Sequence, residues 1–224
     1  MKLIGRDTDL ALVSQHVRTG RNLAIWGAEG IGKTELVSTA VERLPGVLYC
    51  ADTSTLKTAC ESLLTQLGLS LRRADNIRRK RTILEATSGR QFCFVFDQVG
   101  HVTPKLLSLS EAVHDSHPML LAARSLAWTD TGHLKMILWD FDRLGLTNLR
   151  ETEARLLVES KSVRLDLHLP DLPQFARELW RLTRGNPRRI VELCEQAASG
   201  RYMFGRRMST KPLELDCRID KLGV

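Results

Sequence analysis

The stretch Gly27-Ala28-Glu29-Gly30-Ile31-Gly32-Lys33-Thr34 has the spacing G-x-x-x-x-G-K-T, with Glu35 following it. Glycines let such a loop curl until successive backbone N–H groups point inward at phosphate oxygens, and the start of a helix adds its partial positive charge. Lys33 then neutralises the outer two phosphates of a nucleotide, and Thr34 ligates Mg²⁺. Two fixed glycines followed by Lys-Thr arise by accident in on the order of 1 chain in 100, and the flanking pattern lowers that further. A site of this kind also needs an acid at the end of a neighbouring buried strand to hold the cation's hydration shell. Phe92-Cys93-Phe94-Val95-Phe96-Asp97 supplies Asp97, followed by Gln98. A glutamine cannot take a proton from an attacking water. Three explanations stand side by side: slow hydrolysis, a base supplied elsewhere, or an introduced Glu→Gln exchange.

The elements that must position these residues are legible in the apolar spacing. Asn22 to Trp26 reads as a buried strand before the loop, and Thr34 to Leu44 as the helix after it, stopped by Pro45-Gly46. Val47 to Cys50 is a second strand, Leu56 to Leu67 and Ile77 to Ala86 are helices, and Phe92 to Phe96 is a third strand. Lys105 to Val113 forms a crossover helix, Met119 to Ala123 a further strand and Phe141 to Leu146 a last short one. Strands apolar on both faces belong inside a parallel sheet covered by helices, so the expected class is α/β with a P-loop core. From about Leu149 the texture is helical, over Glu151 to Val158, Gln174 to Thr183 and Arg188 to Ala198. The predicted division is a nucleotide-binding core over 1–148, a small helical lid over 149–199 and a basic tail over 200–224.

Taken in order, these motifs make the chain resemble the AAA+ and STAND ATPases grouped near the replication initiators, over Ile4-Gly5-Arg6 through Gly185-Asn186-Pro187-Arg188. The resemblance implies that Gly5, Arg6 and the segment to Leu10 pack beside an adenine. It implies that Arg124, after Leu120-Leu121-Ala122-Ala123, is the "sensor 1" residue, that Pro187 touches the adenine edge, and that Arg188 reaches the γ-phosphate as "sensor 2". ATP and Mg²⁺ are the implied cofactors, and Gln98 stands where hydrolytic members carry the glutamate that activates water. An arginine finger is expected near the end of the core, yet Ala127 to Trp139 contains no arginine, and Arg143 is the stand-in. Too few residues follow the lid for a winged-helix DNA-binding domain.

Composition bounds the partners. The 224 residues are 43% hydrophobic and 26% charged, as in soluble globular proteins. No apolar run approaches the ~20 residues that span a bilayer, and the first residues lack a signal-peptide pattern, so no membrane partner and a cytoplasmic location are expected. Five cysteines without a C-x-x-C pair read as buried, reduced thiols, and His114 and His117 lack the further ligands of a zinc site. The net charge of +7 favours an acidic partner. Arg72, Arg73, Arg78, Arg79, Lys80 and Arg81 form a basic run on a predicted helix, suited either to nucleic-acid phosphates or to a solvated face. Arg201, Arg206, Arg207 and Lys211, with Tyr202 and Phe204 among them, make a second patch.

Two functions follow. One is an ATP-controlled regulator similar to the transposition ATPases of the TniB/TnsC type or to a replication initiator. Mg-ATP would bridge core and lid, build a homo-oligomer on double-stranded DNA and engage a transposase or replication protein, with ADP as product. The other is a STAND-type switch acting on protein partners in signalling or defence.

Overall fold

A computed structural model describes residues 3–42, 44–71, 73–167, 169, 171–199, 203–204, 207–208, 212, 215–216 and 219. The chain divides into two compact units. The larger comprises Arg6–Glu29 and Lys33–Leu146; the other comprises Met1–Gly5, the loop tip Gly30–Gly32 and Thr147–Val224.

The larger unit is built on five parallel strands: β1 (Leu23–Trp26), β2 (Val47–Cys50), β3 (Cys93–Val99), β4 (Met119–Ala123) and β5 (Asp142–Gly145). Their spatial order is β2-β3-β4-β1-β5, so the chain leaves β1 for the far edge and works back until β4 lies between β3 and β1. All five residues of β4 are buried, whereas the edge strands β2 and β5 alternate between more and less buried residues. That contrast follows from covering central strands on both faces while each edge strand keeps one side in reach of water. The core beneath is Phe94, Phe96, Leu63, Ile83, Leu109, Met119 and their neighbours.

The helices of this unit are α1 (Asp7–Thr19), α2 (Lys33–Val41), α3 (Leu56–Gln66), α4 (Asn76–Thr87), α5 (Pro104–His114) and the single turn α6 (Trp128–Thr131). Local chemistry sets their starts. Thr55 Oγ1 accepts from the N–H of Thr58 at 3.0 Å and Asp75 Oδ1 from that of Arg78 at 2.7 Å, while Pro104 opens α5 with the fixed φ that a first helical turn needs. The segment expected only to lie by a nucleotide base is the first turn of α1, where Asp7 and Asp9 face the helix's positive end. His16 near the far end of α1 bonds Asp142 on β5 at 2.9 Å. The third strand runs past Phe96 to Val99, because Asp97 and Gln98 form an irregularity between the Phe96 and Val99 pairings.

In the other unit α7 (Glu151–Arg164), α8 (Leu172–Thr183) and α9 (Pro187–Ala198) pack around Ala154, Val158, Phe175, Leu179, Ile190 and Leu193. Asp171 and Asn186 cap α8 and α9. The tail contributes a short antiparallel pair, β6 (Met203–Phe204) with β7 (Arg207–Met208); Arg201, Tyr202, Arg206 and Lys211 lie outside the described residues. Cys50, Cys60, Cys93 and Cys194 are buried and free, and burial raises all four thiols, the first two to about 11 and the last two to about 12. Among the described residues no helix is long and apolar enough to cross a membrane, and no group of side chains forms a metal cluster.

Gly185 holds the α8–α9 turn. Its φ of +78° is one that side chains rarely adopt, and a Cβ there would press directly on the carbonyl oxygen of Leu149. The same oxygen accepts the indole N–H of Trp180 at 3.1 Å, and the Leu149 N–H donates to the Gly185 carbonyl at 2.9 Å. Gly185→Ala is expected to cost about 3 kcal/mol, the left-handed penalty and the overpacking together, read as a lowered urea midpoint for the helical unit.

Candidate nucleotide-binding site

The P-loop leaves β1 at Trp26, and the Gly27 N–H donates to the carbonyl of Arg124 at 3.2 Å. The end of β1 is thereby tied to the end of β4. In open α/β sheets ligands bind outside the carboxyl ends of the strands where the connections diverge, and β1 is that point here. Leu36 and Val37 are wholly buried and anchor the helix that follows.

The Lys33 ammonium donates to the carbonyls of Gly27 at 2.7 Å and Ala28 at 3.0 Å. Burial lowers the pKa of Lys33; the Asp97 and Glu29 carboxylates oppose that shift, and Arg124 adds to it. These four charged side chains therefore share one electrostatic neighbourhood. Arg124 itself is exposed.

Asp97 is 1% exposed. Its Oδ1 accepts the backbone N–H of Gln98 at 2.7 Å and its Oδ2 accepts the Tyr49 hydroxyl at 2.6 Å. Gln98 is exposed with a φ of +50°, so at this irregularity in β3 the acid stays inside and the amide faces out. Tyr49 is the residue that sequence reasoning missed. Its only signal was a phenol in a short buried strand, since a buried tyrosine hydroxyl needs a partner.

Whether these residues fit a polyphosphate and a divalent cation is answered by their geometry. Gly32 has a φ of +98°, and among the described residues nothing lies within 4 Å of where its Cβ would sit. The ammonium has two carbonyl acceptors and capacity for a third. Thr34 and Glu35 are exposed in the first turn of α2, and each oxygen of Asp97 retains a lone pair after its one donor. The set fits both groups.

In the helical unit, the Arg188 N–H donates to the carbonyl of Gly30 at 3.1 Å, and Pro187 is the first residue of α9. The Arg188 guanidinium donates to Glu192 at 2.9 Å, and Arg189 meets the other oxygen of that carboxylate at 3.0 Å. Gly5 belongs to this unit and Arg6 to the other, where the buried Arg6 guanidinium pairs with Asp9 at 3.2 Å. Arg143 is exposed on the edge strand β5.

The basic run does not form one row. Arg72 lies outside the described residues, and Arg73 precedes α4. Arg79 turns inward, 7% exposed, and pairs with Glu61 at 3.3 Å. Lys80 reaches the carbonyl of Ser108 at 3.5 Å and Arg81 pairs with Glu85 at 2.6 Å. The helical period turns each residue about 100° from the one before it, so the consecutive cations Arg78, Arg79, Lys80 and Arg81 cannot share one face. Arg73 and Arg78 are exposed.

This sheet order, with the P-loop on β1 and an acid on β3, is the fold of the P-loop AAA+ ATPases of the Orc1/Cdc6 type. The chain is similar to the Orc1 protein of Aeropyrum pernix in complex with DNA, with a TM-score of 0.72 and 15% identity over 98% of this chain and 66% of that one. It is similar to the Walker-type ATPase of Pyrococcus abyssi (TM-score 0.66, 14% identity, 98% and 73% covered) and to Cdc6p of Pyrobaculum aerophilum (0.66, 11%, 89% and 62%). Thus the chain spans a little under two thirds of the Aeropyrum and Pyrobaculum structures. No family model and no curated relative matches the sequence.

The two arginines Arg79 and Arg81 separate structural from surface charge. Arg79→Ala is expected to destabilise the chain by about 1–3 kcal/mol, chiefly through lost packing of its buried side chain, whereas Arg81→Ala leaves the urea midpoint unmoved.

Proposed function

We propose that the chain is an ATP-binding AAA+ regulator that uses Mg-ATP to assemble as a homo-oligomer on or near double-stranded DNA and turns ATP over slowly. The observation that carries the reading is the Lys33 ammonium drawn back onto the Gly27 and Ala28 carbonyls of the loop after β1, with the buried Asp97 of β3 within electrostatic reach of it. Lys33 and the loop N–H groups would hold the phosphates, Thr34 and Asp97 would hold Mg²⁺, and Arg124 would sense the outer phosphate. The cation, when bound, screens the charge of the phosphoryl oxygens. Arg188 would serve as the lid's sensor after leaving Glu192, beside Pro187, with Gly5 and Arg6 on the adenine side. In this reading 1–148 acts as core, 149–199 as lid and 200–224 as tail, and Arg143 is the candidate finger.

Slow turnover rests on Gln98, whose amide has no proton-accepting role. Association with DNA is supported by the likeness to an Orc1 structure solved with DNA and by charge. Residues 6–146 carry 17 basic against 15 acidic side chains, whereas 200–224 carry 6 against 3. The tail thus holds +3 of the net +7, and with Arg73 and Arg78 it is the favoured phosphate contact. A transposase or replication protein is the expected protein partner, in the cytoplasm.

One observation favours the second reading, an ATP-dependent switch acting on protein partners. Trp139, Met136 and Trp128 are 78%, 61% and 46% exposed within one segment, apolar surface of the kind that partners cover.

Labelled ATP is expected to bind in Mg²⁺ and to lose binding in Lys33→Ala. Turnover should stay below about 1 s⁻¹ and rise on the order of 10²-fold in Gln98→Glu, the typical contribution of a general base. Fluorescence anisotropy of duplex DNA should show salt-sensitive binding that requires ATP. DNA binding absent in every nucleotide state would pass the function to the protein-partner switch.

A further inference from the structure

Tyr49 lies on β2, at the edge of the sheet, with Val95 of β3 as its partner on one side and no strand on the other. A backbone amide at such an edge has no ladder partner, yet both polar groups of Tyr49 are met. Its N–H donates to Gln66 Oε1 at 2.8 Å, and Gln66 Nε2 donates to its carbonyl at 2.7 Å. The side chain of Gln66, the last residue of α3, thus bonds Tyr49 as a neighbouring strand would. The phenol so fixed donates to Asp97 Oδ2 at 2.6 Å, while the Gln98 N–H donates to Oδ1 at 2.7 Å.

We infer that Tyr49 is a positioning residue for the divalent cation held at Asp97, and that Gln66 keeps it in place. The inference rests on the nucleotide-binding reading above. Two donors on opposite oxygens fix the plane of the carboxylate, so its remaining lone pairs face a set direction before any cation arrives. Without the hydroxyl, Oδ2 loses its bond inside a site that is 1% exposed, and the carboxylate turns about its last side-chain bond. Tyr49 bonds Gln66 and Asp97, whereas the Lys33 ammonium bonds the Gly27 and Ala28 carbonyls. Loss of the phenol therefore weakens the recruitment of the cation rather than of the phosphates. Outer partners of metal ligands typically act on affinity at this scale, about 10–100-fold.

The test is a fluorescent ATP analogue titrated against the full chain at increasing Mg²⁺, with Mn²⁺ binding followed by electron paramagnetic resonance and folding checked by circular dichroism. Tyr49→Phe is expected to raise the Mg²⁺ midpoint about tenfold and to free Mn²⁺ in proportion, while nucleotide binding in EDTA matches the wild type. Gln66→Leu, which leaves the phenol present but unfixed, is expected to move the midpoint in the same direction by less. A Tyr49→Phe midpoint equal to wild type, or an equal loss of binding in EDTA, overturns the inference and leaves the nucleotide reading standing. Wild-type protein that binds no nucleotide at any Mg²⁺ concentration overturns the nucleotide reading and the inference with it.

Discussion

A carboxylate withdrawn almost wholly from water, as Asp97 is at the end of an apolar strand, persists only where donors and a counter-charge meet it. Much of the larger unit can be understood as meeting that condition. The irregularity in β3 turns the Gln98 N–H onto one oxygen, and the edge strand brings a phenol to the other. The ammonium of Lys33 supplies opposite charge from across the sheet. Each donor comes from a different element, so the site exists only when the parallel sheet has closed in the order β2-β3-β4-β1-β5.

The loop after β1 shows the complementary condition, a half-buried cation that the protein itself must compensate. Burial disfavours the charge on Lys33, the Asp97 and Glu29 carboxylates oppose that shift, and the carbonyls of Gly27 and Ala28 accept hydrogen bonds from two of its protons. The same logic explains why Arg188 bonds Glu192: an exposed guanidinium takes the carboxylate one helical turn away, an arrangement worth only a few tenths of a kcal/mol.

The arginine run before the third strand illustrates why counting charges along a sequence overstates an electropositive surface. Arg79 covers apolar core with its stem and pairs with Glu61, while Arg81 pairs with Glu85 one turn on. The core is left close to neutral, and the excess charge shifts toward the tail.

By itself the sequence determined the class of fold and marked the candidate site. A strand apolar on every residue from Phe92 to Phe96, a glycine-spaced loop and a lysine-threonine pair each report a local requirement, and local requirements are written in adjacent residues. The helices of the smaller unit were legible for the same reason, since a buried stripe repeats every turn. Only the tertiary structure decided that Tyr49 serves Asp97, that Gln66 serves Tyr49 and that Arg79 points inward. Those pairings join residues 48, 17 and 18 positions apart. Their physical cause is strand order and helix rotation, which place distant side chains within hydrogen-bond reach and leave no periodic trace in the chain.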